Sequence, residues 1–233
     1  MNLALLNLDG LMFLLRWMHF FFGIIWIGHL FYFNFTQGPF FAETDAATKS
    51  GAIQKLVPRA LWWFRWGAFY TMATGLLILA IRGHQGGAGM FLTPWGITIL
   101  TGGTLGLIMG ANVWFVIWPA QQVVIKSATQ AASGGTAIPE AAARGARAGV
   151  ASRTNTLFAI PMLFFMGAAS HLPLTVKDNP SYLGYFITTA IIIGLIEINA
   201  LKGKSGPMTS VKGVIHCGFA LSLMMYAVLE IFI

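Results

Sequence analysis

Six stretches of roughly 20 apolar residues restrict what this chain can fold into more than any motif in it. They cover about 11–35, 60–82, 95–118, 155–173, 182–201 and 211–233. In hydrocarbon every backbone N–H and C=O must be satisfied within the protein, so only helices and closed β-barrels span a bilayer. Barrel strands would be ~10-residue segments of alternating polarity, and these runs are longer and unalternated. The expected fold is an all-α integral membrane protein, a bundle of about six transmembrane helices forming one domain over 1–233. Composition agrees, because only 9% of the residues are charged, against roughly 25% in a soluble domain.

The formal net charge of +7 would by itself suit a nucleic-acid partner, but its distribution points to a lipid bilayer instead. Lys49, Lys55, Arg59, Arg65, Lys126, Arg144, Arg147, Arg153, Lys202, Lys204 and Lys212 fall on or beside the first, third and fifth loops. Only Arg16, Arg82 and Lys177 lie at the other ends. Cytoplasmic loops carry the Lys/Arg excess, which places both termini outside the cytoplasm and leaves no role for nucleic acid. The first run is too long for a signal peptide and lacks a basic start and a small-residue cleavage site, so it is expected to stay. The lone cysteine, Cys217, excludes an intrachain disulfide and a CxxCH haem attachment.

The first loop is long enough for a short surface helix, with Pro58 opening the second span. The second, "GHQGGAGMFLTP", reads as flexible. The third is Ala-rich on both sides of Ser133-Gly134-Gly135, two helical extensions around a break, with Pro139 and Glu140 suited to start the second. Its arginines face water or bind anionic headgroups.

Histidines interrupt the apolar pattern. His19, Phe22, Trp26, His29 and Phe33 recur at alternating steps of three and four, one stripe on one helix face. Ten residues of helix place the two imidazoles ~15 Å apart along the axis, too far for one metal and suited to two sites. By depth, His29 matches His216 near the cytoplasmic edge, and His19 matches the shallower His171 on the outer side. Such pairs are what one or two bis-histidine haem b groups require. Hydrogen bonding between helices is the competing role for each imidazole. His84, in the glycine-rich loop, is expected to be solvent-exposed.

Other residues fit the same reading. Gly102, Gly106 and Gly110 form a groove for a neighbouring helix or a flat macrocycle. Arg59 and Arg65 bracket "ALWWF", where guanidinium groups suit propionates, and Arg16 is placed to serve an outer site. Asn112 in the third span and Glu197 in the fifth add polarity to the inner half, Glu197 either pairing with Arg65 or passing protons. Copper is the alternative cofactor or cargo, since histidine and the 11 methionines are suitable ligands.

The blocks "HFFFGIIWIGHLFYFNFTQ", "VPRALWWFRWGAFYTMATGLLIL" and "GANVWFVIWPAQQ" together resemble the membrane domain that begins bacterial membrane-bound urate oxidases (urate hydroxylases). The resemblance covers nearly the whole chain. It implies a multi-pass protein of the bacterial inner membrane tied to redox chemistry. In longer members a cytochrome c domain follows, and none is expected here. The expected function is a haem-binding protein that moves electrons within the membrane, as a homo-oligomer or part of a larger complex, with a cytochrome or quinone as redox partner. The alternatives are a urate oxidase-like enzyme with an external electron acceptor, a copper transporter, and a non-catalytic structural subunit.

Overall fold

The computed structural model describes residues 4–233, and among these all regular structure is helical. Helix α1 (Leu8–Phe31) passes through a π-helical turn (Tyr32–Gln37) into α2 (Gly38–Glu43). A short surface helix α3 (Ala46–Lys55), as expected for the first loop, leads to α4 (Val57–Gly86). Helix α5 (Pro94–Ala111) runs through a second π-helical turn (Asn112–Ile117) into α6 (Trp118–Ala132). Then come α7 (Ala141–His171), α8 (Tyr182–Lys202) and α9 (Val211–Phe232).

Both π turns have a sequence cause. Pro39 and Pro119 sit just beyond them, and a proline inside a helix lacks the N–H for the carbonyl four residues back and crowds it. Widening the preceding turn by one residue relieves both problems. The first and third spans therefore do not end near residues 35 and 118 but continue to Glu43 and Ala132. The second loop is also more ordered than its glycines imply: α4 extends to Gly86 and residues Ala88–Leu92 form a 3-10 helix. The third loop follows its pattern, with Gly134 at φ +83° between α6 and α7.

Four helices start alike. The side chains of Asn7, Thr93, Ser181 and Ser210 each accept a hydrogen bond from the N–H of a glycine three positions on, satisfying an otherwise orphaned donor. At Gly10, Gly96 and Gly213 the missing side chain lets the incoming chain fold back over the first turn. A Cβ at Gly10 would overlap Ala4 and Leu5, and one at Gly96 would overlap Met90 and Phe91.

Asp45 caps α3, accepting from the hydroxyl and N–H of Thr48 and from the N–H of Ala47. The Thr48 hydroxyl, followed by these N–H groups, holds its carboxyl below the usual carboxylate range. A depressed folded pKa stabilises α3 above the unfolded value and loses that contribution as pH falls through the folded one. Asp45→Asn should keep the cap and abolish this acid sensitivity, read as pH-dependent amide exchange in α3.

Five helical stretches are long and apolar enough to cross a membrane: Leu8–Glu43, Val57–Gly86, Pro94–Ala132, Tyr182–Lys202 and Val211–Phe232. Their outer faces are greasy, with Phe20, Ile24, Phe115, Leu183 and Leu223 all exposed, as a lipid-facing surface requires. The remaining long helix, α7, carries the fourth expected span and lies at the centre. It packs against α5, α6, α8 and α9 and touches α1. It buries Phe158 and Phe165 fully, together with Thr154, Asn155 and Thr156. A helix buried on most sides is filled by packing rather than by lipid contact, which lets it carry more polarity. On the other flank α1 packs along α4.

Candidate functional site

The α1–α4 contact is close because α4 presents small residues to it. A Cβ at Gly67 would stand 3.0 Å from the Trp26 nitrogen and 3.3 Å from the Phe22 carbonyl. Two turns on, His19 takes the same seam. Its Nδ1 lies 3.0 Å from the Thr71 carbonyl and 3.2 Å from Thr74 Oγ1, while Gly75 leaves room for the ring, 3.0 Å from where a Cβ would stand. A carbonyl only accepts, so the proton sits on Nδ1 and the Nε2 lone pair is free. His29 is arranged alike by its own helix, with Nδ1 2.7 Å from the Ile25 carbonyl. Neither Nε2 makes a hydrogen bond among the described residues. Tying one ring nitrogen to a carbonyl and freeing the other is how a metal-binding imidazole is oriented.

The second imidazoles are placed differently. His171 ends α7 and His216 lies on α9, both exposed, and α1 and α9 share no extended interface. The fold thus does not gather His29 and His216 within one packed interface of the chain, whereas α1 and α7, which carry His19 and His171, touch. His84 is exposed as expected. Among the described residues, no three His, Cys, Asp or Glu side chains form a metal-binding cluster.

Between the histidine levels Trp26 is 2% exposed, and its indole N–H makes no hydrogen bond. Arg65 points into an aromatic box, its guanidinium carbon 3.8 Å from the Trp118 ring centre, 4.9 Å from Trp114 and 5.3 Å from Trp66. Cation–π attraction holds it there, and its Nε is buried without a partner. Arg16 and Arg59 are exposed. Of the α5 glycines, Gly102 packs on α7 and Gly110 on Met72, while Gly106 has open space beside it.

Glu197 is not paired with Arg65. Its carboxylate accepts from Asn112 Nδ2 at 3.0 Å, and the same amide nitrogen donates to Asn155 Oδ1 at 3.0 Å. Asn155 Nδ2 in turn donates to the Met109 carbonyl at 2.9 Å. The indoles hold the guanidinium elsewhere, which leaves the carboxylate to an amide network spanning α5, α7 and α8. Asn155 and the second π turn, which starts at Asn112, were not anticipated as partners. The signals were present in Pro119 and in an asparagine amid the apolar residues of the fourth span.

Below His29, Phe33 stands 6.3 Å from the imidazole centre and borders a cavity of about 940 Å³. Both π turns contribute to its wall, through Asn34 and Gln37 from the first and Ile117 from the second. Arg147, Arg153 and Lys204 complete it from α7 and the segment after α8. This cavity had no sequence-level counterpart, because its residues come from five separate segments.

The family model described as Urate oxidase N-terminal matches residues 87–225, from the end of α4 into α9. The third resembling block, "GANVWFVIWPAQQ", lies inside that stretch, and the other two precede it. No curated protein and no solved structure matches significantly. The match spans well over half of the chain and includes α5 to α8 whole, so the chain belongs to the urate oxidase N-terminal family.

Proposed function

We propose that this chain is a membrane-integral redox protein that binds haem b through the histidines of α1 and moves electrons within the membrane. The observation that carries the reading is the state of His19 and His29. Each has Nδ1 tied to a carbonyl and Nε2 free, so each imidazole would suit holding a haem iron. His171 and His216, both exposed, are the remaining imidazoles that would help to hold such a group. When bound, haem would supply one-electron chemistry. The chain's own residues would orient the imidazoles through Thr71, Thr74 and Ile25, exclude water with Phe22, Trp26 and Phe33, and place a carboxylate, Glu197, where a proton could be held in the inner half. Six spans, both termini outside the cytoplasm and a bacterial inner membrane location complete the proposal, with a cytochrome or quinone as partner and a homo-oligomer or larger complex as the assembly.

Oxidation of urate with an external acceptor is the second reading, favoured by membership of the family. Copper held by histidine and methionine is the alternative cofactor or cargo. Acid extraction of the purified protein separates these cases. Porphyrin with stoichiometric iron is expected, whereas copper without porphyrin would defeat the haem reading. Anaerobic addition of urate tests the second reading, which requires reduction of the bound group.

A further inference from the structure

The cavity below His29 has a composition that the redox reading does not use. Three cationic side chains line it, Arg147, Arg153 and Lys204, and its wall contains no carboxylate. Arg147 is partly engaged, donating to the Ala200 and Gly203 carbonyls at the end of α8 at 3.1 and 3.4 Å. Arg153 is not: its Nη1 is buried without a partner. A buried donor on a charged group left unpaired costs stability unless a ligand meets it. Gln37 offers the opposite need, because its Oε1 is buried and accepts no hydrogen bond. Val57, Leu61 and Ile117 supply an apolar wall. A ligand that satisfies all three features carries a negative oxygen for Arg153, a hydroxyl or N–H for Gln37, and an apolar portion.

We propose that this cavity binds a phosphoester anion with a neighbouring hydroxyl, the chemistry of a glycerol-type anionic lipid headgroup. The charge distribution places the cavity at the cytoplasmic ends of the helices, where an inner-leaflet headgroup lies beside an apolar wall that takes its glycerol and first methylenes. The volume of about 940 Å³ holds a headgroup with part of its chains. The arginines of the third loop are then not simply a solvated face: Arg147 and Arg153 serve the cavity, while Arg144 does not line it.

The test uses the full chain purified in neutral detergent, with short-chain phosphatidylglycerol, short-chain phosphatidylcholine and glycerol 3-phosphate as probes, binding being followed by calorimetry. Phosphatidylglycerol is expected to bind and phosphatidylcholine to bind at least tenfold more weakly. Binding of glycerol 3-phosphate as well would identify the headgroup itself, available from solution, as sufficient; its failure to bind would assign the site to membrane lipid. Arg153→Gln should weaken phosphatidylglycerol binding at least tenfold, and the exposed Lys126→Gln should not alter it. Gly149→Phe provides a second variant that keeps every charge. Gly149 lines the cavity, and nothing lies within 4 Å of where its Cβ would stand, so the ring should fill the site and block binding while the fold is retained. Equal affinity for the two lipids, or phosphatidylglycerol binding unchanged in both cavity variants, would overturn the proposal. So would binding of urate, blocked by Gly149→Phe, with no response to either phosphoester.

Discussion

Gly67→Leu is expected to separate α1 from α4 and to give the largest loss of stability of any single substitution on that seam. The side chain would have to displace backbone, since the Trp26 nitrogen and Phe22 carbonyl lie 3.0 and 3.3 Å from where even a Cβ would stand. Backbone in a helix cannot move aside as a flexible side chain can. Overpacking of this kind costs about 1–3 kcal/mol and more when the main chain must shift. The same displacement would carry His19 away from Thr71 and Thr74, coupling the packing defect to the site. Gly28→Leu, on the exposed side of α1 with nothing within 4 Å, should leave the melting temperature of the purified protein nearly unchanged. Equal behaviour of the two variants in thermal unfolding would mean that the α1–α4 contact is not what holds α1 in place.

Asn155→Leu is the second large effect. Asn155 is fully buried and serves as both acceptor for Asn112 and donor to the Met109 carbonyl. Its loss takes one of two donors from the Met109 carbonyl, which keeps the backbone N–H of Asn112, and removes one of two acceptors for the Asn112 amide, leaving Glu197 as the other. Leaving a buried polar group unmatched costs about 1–3 kcal/mol in water-soluble proteins. Inside a membrane bundle single hydrogen bonds are worth somewhat less, on the order of 1 kcal/mol. Asn112→Leu should cost a similar amount, and the double variant should cost less than the two singles together, because they belong to one network. Additive losses in chemical unfolding would show that the two asparagines act independently.

The sequence was legible where one physical rule dominates. Apolar length located α8 and α9 to within a residue or two, since nothing competes with lipid burial over those stretches. The break at Ser133-Gly134-Gly135 was equally plain, because its glycines interrupt strong helix formers. Prediction of helix ends failed near residues 35 and 118, where the end of the apolar run was taken as the end of the span although a π turn carries each helix on past Pro39 and Pro119. Individual histidines stood out as polar rings in an apolar stripe, but pairing them by depth could not reveal which helix faces meet. Depth fixes one coordinate of a bundle and leaves rotation and neighbour choice free. The match of His216 to His29 therefore rests on depth alone, and depth does not show that α9 packs on α7 and α1 on α4. Arg65 illustrates the same limit: its charge suggested a carboxylate partner, and three tryptophans from α4, α6 and the second π turn surround it instead.

In the proposed function the imidazoles of His19 and His29 carry haem. Its most direct test is a reduced-minus-oxidised visible spectrum of the purified protein beside His19→Ala, His29→Ala and Gly75→Leu, the last of which crowds the His19 ring without removing it. Expected are b-type haem bands in the parent protein, loss of one component in His19→Ala and likewise in Gly75→Leu, and loss of the other in His29→Ala. A single haem would be lost with only one of the two histidines. Absence of haem bands from the parent protein, or bands of undiminished intensity in both histidine variants, would contradict it.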